Sequence, residues 1–166
     1  QRNLATSIYD PEAIHTLARA AWKFKRKAHI HIRVDTGMGD LGLLPQEVVP
    51  LVRGLIRLDG LVLDGLYTDF AAADTLLEVA ATQEQLQRFQ AVYDSLRATE
   101  LSIPYVHAAN SAATLTMAAS YFNLVRPGMA LYGLHPSLDV SIPTGFRRVL
   151  TWKSRVVQVR TVPENW

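Results

Sequence analysis

Cysteine is absent from all 166 residues. That excludes a disulfide framework and a thiolate metal site, and makes the cytoplasm the expected compartment. Long hydrophobic runs are absent too: none reaches the roughly 18 residues needed to cross a bilayer, and the N-terminus carries no signal-peptide pattern, so no membrane role is expected. Nor is there an excess of charge of one sign, since 17 basic side chains oppose 15 acidic ones spread along the chain, for a net charge of +2. Nucleic-acid binding, which calls for basic residues gathered on one face or helix, is therefore not expected. An initiating methionine is also missing, Gln1 standing first, as expected of a piece of something longer.

What is present is a hydrophobic content of 49%, ample for one compact domain with a real core. Apolar strands alternate with amphipathic helices along the chain. A short strand at 6–9 leads into Asp10-Pro11-Glu12, a helix start with Asp as N-cap and Pro at the first helical position. The helix at 12–23 follows, with Ile14, Leu17, Ala18, Ala21 and Trp22 on one face. Strands are then predicted at 28–34, 61–70, 105–108 and 124–132, and helices at 45–58, 82–98 and 112–119.

This alternation predicts right-handed parallel βαβ units, whose ligand-binding residues gather at the carboxyl ends of the strands. Five strands fall short of a closed eight-stranded barrel. Residues 137–146 are rich in Pro, Ser and Gly, and 150–162 (LTWKSRVVQVRTV) alternate as a half-exposed strand with no helix after it. The domain reading is therefore a partial α/β unit over 1–136, a linker at 137–146, and the start of a β-rich domain at 147–166.

Four stretches carry candidate chemistry. In HIRVDTGMGDLG (31–42), Arg33 alternates in phase with His31 and Asp35, so the three leave one face of the strand. A charge inside a parallel strand is costly unless paired, and Asp40 lies seven positions on, beyond a glycine turn, placed to fold back to it. In LYTDFAAAD (66–74), Asp69 is expected to be buried between Thr68 and Phe70 and to need a cationic partner, whereas Asp74 reads as a solvated loop acid. No His-x-His or glutamate joins these acids at ligand spacing, so no metal site is expected.

HAANSAAT (107–114) places Asn110 and Ser111 at a strand end just before a helix. An ordinary N-cap is the commoner use of Asn-Ser; an anion site taking phosphate is the alternative. His107, next to Val106 and two alanines, is expected to be buried and hydrogen-bonded. LVRPGMALYG (124–133) sets Arg126 ahead of Pro127 and Gly128. A surface arginine paired with a carboxylate is one reading. Apolar neighbours, a glycine that lets a ligand approach the backbone and a rigid, permanent donor favour a ligand role.

Together, in this order and at these separations, the four stretches closely resemble the alanine racemases, pyridoxal-phosphate enzymes with an α/β barrel and a C-terminal β domain. The resemblance runs from about Ala5 to Val162. It implies strands four to eight of a (β/α)8 TIM barrel, then the first strand of the β domain. The implied parent is a homodimer that interconverts L- and D-alanine for cell-wall precursor supply, with an amino acid as its small-molecule substrate.

By the same resemblance Ser111, with Asn110 before it and the backbone at Gly128 and Met129, would bind the cofactor phosphate. Arg126 would face the pyridine nitrogen, His107 would support the polar network, and Asp35 to Gly39 would shape the adjoining loop. Three positions depart from the family pattern. Arg33 stands where the family has a lysine, sometimes carbamylated; Asp40 where an arginine touches the cofactor phenolate; Asp69 where a histidine stands. The first two read as an exchanged pair, Arg33 donating to the phenolate while Asp40 orients it. Asp69 would meet Arg126 as a carboxylate, which removes a candidate proton relay.

Racemisation needs a base on each side of the α-carbon. In the family these are a lysine bonded to the cofactor and a tyrosine of the partner subunit. None of Lys23, Lys25, Lys27 or Lys153 lies in that lysine motif, so this chain alone is expected to be inactive. The alternatives are a non-catalytic descendant that binds pyridoxal phosphate or another anion, and a related barrel racemase or decarboxylase acting on another amino acid such as serine.

Overall fold

The computed structural model describes residues 4–165; Gln1 and Trp166, the outer limits of the expected domains, lie outside the described residues. Four strands form one parallel sheet in sequence order: β1 (Thr6–Ile8), β2 (Ala28–Arg33), β3 (Leu61–Tyr67) and β4 (Tyr105–His107). Helices α1 (Pro11–Lys23), α2 (Pro45–Leu55) and α3 (Val79–Arg97) make the crossovers between them, and α4 (Ser111–Thr116) follows β4. This is the α/β class that the alternation predicts, and an arc of a barrel.

Local chemistry sets the helix starts. The Asp10 carboxylate accepts from the Glu12 N–H at 2.9 Å and Pro11 stands at the first helical position, where its missing N–H costs nothing. The α2 start is held by Glu47, whose carboxylate accepts from the Leu44 N–H at 2.8 Å. Ile14, Ala18 and Ala21 of α1, Val48, Val52 and Leu55 of α2, and Phe89, Val92 and Leu96 of α3 turn inward. Their target is the outward face of the sheet, where Ile30, Ile32, Leu66 and Val106 are buried almost completely.

Trp22 departs from expectation: it is 75% exposed. Eight residues past Ile14 it sits about 80° around the helix from it, at the edge of the buried stripe. α2 ends three residues early, leaving Ile56 exposed.

The β2–β3 register jumps from Ile30↔Leu63 to His31↔Gly65, so β3 carries a bulge at Asp64. One extra residue resets the alternation. Leu63 and Leu66 both reach the core, while Asp64 bonds His29 and Gly65 lies against His31, on the opposite face.

Two expected strands do not form. The chain at 123–126 runs beside 106–109 through only two backbone bonds, Asn123 N–H to the Val106 carbonyl (3.3 Å) and Arg126 N–H to the Ala109 carbonyl (2.9 Å). Pro127 has no N–H to continue a ladder, Gly128 leaves the extended region at φ −77°, ψ −81°, and Met129–Tyr132 close into a 3-10 turn. The 150–162 segment is exposed and unpaired among the described residues, because alternation without a neighbouring strand forms no ladder. Residues 137–140, by contrast, are fastened down. The Ser137 hydroxyl donates to the Asp74 carbonyl, the Asp139 carboxylate accepts from the Leu76 N–H at 3.1 Å, and Val140 is buried.

Candidate functional site

Parallel strands deliver all their carboxyl ends to one side, and there the candidate residues meet. The 35–42 loop closes on itself: Asp35 Oδ1 accepts from the Gly37 and Gly39 N–H groups at 3.0 and 3.1 Å. Gly42, at φ +129°, lies so close to Asp35 that a Cβ would stand 2.6 Å from its nitrogen, which is why the loop needs glycine there. Burial raises the Asp35 carboxyl, but the Gly39, Gly37 and Met38 amides and the Arg33 guanidinium outweigh it, and its pKa falls below the ordinary value.

This folding returns Asp40 to Arg33, whose Nη2 donates to Asp40 Oδ1 at 2.8 Å. Arg33 is 8% exposed, and its Nε finds no partner among the described residues. An unpartnered guanidinium donor at that depth calls for a ligand or a water.

Asp69 shares its two oxygens. Oδ1 accepts from Arg126 Nη2, and Oδ2 lies 3.9 Å from Arg33. Asp69 is half-buried rather than buried, its side chain 31% exposed at the strand end, and the cation it meets is Arg126, with Arg33 in the second place. Arg126 also donates to the Thr68 carbonyl at 2.9 Å and, through Nη1, to His107 Nδ1 at 2.6 Å. The Tyr67 ring lies under both guanidinium groups, with Arg126 5.2 Å and Arg33 6.0 Å from its centre. Its other attachments are a stack on the His107 ring at 4.9 Å and a hydroxyl bond to Ser7 at 2.8 Å.

His107 is buried, as expected. That burial, with Arg126 and His31 alongside, pushes its imidazole pKa down to about 3, so it is neutral at pH 7.

Across the site, Ser111 Oγ accepts from the Ala130 N–H at 3.3 Å, which leaves the hydroxyl proton free to donate. A Cβ at Gly128 would come no nearer than 3.9 Å to that oxygen, so the 128–130 backbone leaves space beside it. Asn110 takes the commoner of its two readings: its side chain caps α4 by accepting from the Ala113 N–H at 3.1 Å. Met129 is 47% exposed at the start of its 3-10 turn. Asp74 stands apart from the cluster, meeting Ser137 through its carbonyl. No group of three or more His, Asp or Glu side chains gathers at metal distance among the described residues.

Sequence reasoning missed three contributors. His31 was placed on the right face but given no partner; it meets His107 at 3.0 Å. Tyr67 shares the two-residue period of Asp69, a signal that was there to use. Gln85 carried none, since nothing marks one polar residue of α3 as inward. It ties the strand ends together, accepting from the Ala71 N–H at 3.0 Å and donating to the Asp69 carbonyl at 3.3 Å.

Residues 1–136 match the family described as the alanine racemase N-terminal domain. An alanine racemase from Citrifermentans bemidjiense is 41% identical over 96% of this chain and 43% of its own length. Another, from Halothermothrix orenii, is 38% identical over 97% and 42%. Among solved structures, the alanine racemase of Clostridium difficile 630 in complex with cycloserine superposes with a TM-score of 0.78 at 32% identity, covering 81% of this chain and 37% of that one. The chain thus spans about two fifths of the length of these relatives.

Proposed function

The chain belongs to the alanine racemase N-terminal domain family, and from that premise we propose that it is the cofactor-holding part of a pyridoxal-phosphate-dependent racemase acting on alanine. One observation carries the reading: Arg126, fixed by His107, Asp69 and Thr68, stands at the same strand ends as Ser111, whose free hydroxyl proton faces an open stretch of backbone.

The residues fit the cofactor in three places. The Ser111 hydroxyl and the backbone at Gly128 and Met129 would hold the phosphate. The unpartnered Nε of Arg33 offers a donor to the phenolate, while Asp40 fixes the guanidinium that carries it. Arg126 would face the ring nitrogen. When bound, pyridoxal phosphate supplies an electron sink that acidifies the α-hydrogen of an amino acid.

The chain's own residues tune that sink. Arg126 is a permanent cation, so it disfavours a proton on the ring nitrogen and should limit side reactions such as transamination. Asp69 and the 128–130 backbone orient the groups on either side. Around this site we read residues 1–136 as barrel, 137–146 as linker and 147–166 as the beginning of a β domain, in a cytoplasmic homodimer.

The test uses the full-length protein with added pyridoxal phosphate, given L-alanine or D-alanine in deuterium oxide. Racemisation with solvent deuterium at the α-carbon is expected. Failure to bind the cofactor overturns the reading. Binding without exchange on any amino acid points to a non-catalytic descendant, and exchange on serine alone to a different racemase.

A further inference from the structure

The sheet face that Arg126 lies against carries a line of imidazoles, and donor chemistry fixes its protons. Arginine only donates. Its 2.6 Å contact therefore makes His107 Nδ1 an acceptor and puts the single proton of that neutral ring on Nε2. His107 Nε2 then donates to His31 Nδ1 across 3.0 Å, and a neutral His31 carries its own proton on Nε2. The burial of both rings, which lowers both pKa values, agrees with neutrality.

His31 is itself held. Its ring packs on Gly65 so closely that a Cβ there would come within 2.2 Å of His31 Nδ1. Tyr105 stacks on it with ring centres 6.0 Å apart and planes 16° apart. No side chain larger than glycine at 65 lets the ring lie where it meets His107.

We infer that His31 is a positioning residue for Arg126, acting through His107: its Nδ1 is the acceptor that holds the His107 ring in the orientation and tautomer that take the arginine's hydrogen. The inference deepens the reading of Arg126 as the contact to the cofactor ring nitrogen and rests on it for its functional consequence. The tautomer chain itself stands without cofactor. Without His31, the buried Nε2–H of His107 has no partner, and the ring gains by turning away from Arg126.

The test is nitrogen-15 NMR of histidine rings in the full-length, cofactor-free protein at pH 7. The wild-type spectrum is expected to show His107 protonated at Nε2 and bare at Nδ1. His31→Phe keeps a flat ring and removes the acceptor; it should disperse the His107 signals and raise the pyridoxal-phosphate dissociation constant about tenfold, the value of one hydrogen bond. His31→Asn, which can still accept, should restore both. A wild-type His107 protonated at Nδ1, or His107 shifts and cofactor affinity unchanged in His31→Phe, overturns the proposal. Should His31→Phe fail to fold, the wild-type tautomer and the His31→Asn variant still decide. A correct tautomer beside a protein that binds no cofactor would spare the positioning chain and sink only the proposed function.

Discussion

The two faces of one short sheet are built from different chemistry, though the same strands supply both. Outward, Ile30, Ile32, Val34, Leu66 and Val106 are each at most 1% exposed under the helices. Inward stand Ser7, His31, Arg33, Tyr67 and His107, joined by hydrogen bonds and ring contacts. A barrel interior is ordinarily filled with branched apolar side chains that pack it shut. Here the inward face has been given over to holding two arginines in place, and the outward face alone supplies the apolar burial. Stability and recognition are therefore separable by the face on which a strand residue stands.

The separation breaks first, and hardest, on the outward face. Ile32→Ala should lower the unfolding free energy by about 2–5 kcal/mol, read by urea denaturation, while the surviving folded protein binds pyridoxal phosphate unchanged.

The inward face answers to pH instead. His107 has a folded pKa of about 3 against an ordinary 6.5, so below pH 6.5 the unfolded chain takes up a proton that the folded one refuses. Stability should fall as pH drops through that window, by about 3 kcal/mol at pH 4 from this group alone. Comparing denaturation of wild type and His107→Asn from pH 7 to pH 4 isolates it, the variant lacking that part of the slope.

Gly65→Ala strikes where the faces meet. It should cost about 1–3 kcal/mol through overpacking and displace the His31 ring, visible as a shifted His31 resonance. The smallest effect belongs to Arg33 and Asp40. Because Asp40 is 43% exposed, a double-mutant cycle of Arg33→Ala and Asp40→Ala should return a coupling of only about 0.5–1 kcal/mol. Additive losses would mean that the pair does not act together.

Local signals made the helices and the first four strands legible: Asp10-Pro11 started α1 where expected, and two-residue alternation put Arg33 on the face where Asp40 meets it. The apolar run at 124–132 has the composition of a strand, yet a ladder cannot pass Pro127, a residue without an N–H. The 150–162 segment alternates like a strand, but pairing is a property of two segments and a sequence window shows one. Within the site, Asp69 could be said to need a cation, but Arg126 lies 57 residues away, and no local pattern reaches that far. His31 lies between these cases, on the face its alternation gives it, with a partner that only the fold supplies.

The bulge at Asp64 has a consequence for how this interior can change. By adding one residue it lets two neighbours, Asp64 and Gly65, look the same way, so a single strand serves two histidines, His29 at 2.7 Å and His31 by contact. Deleting either neighbour would return β3 to a regular pleat, with Leu66 still outward and Tyr67 still inward, but would remove one of the two imidazole contacts. The irregularity thus works as an added foothold: it gives the lower part of this wall a second inward residue while the aromatic platform above keeps its phase, so the wall can vary here by substitution or by loss of one residue.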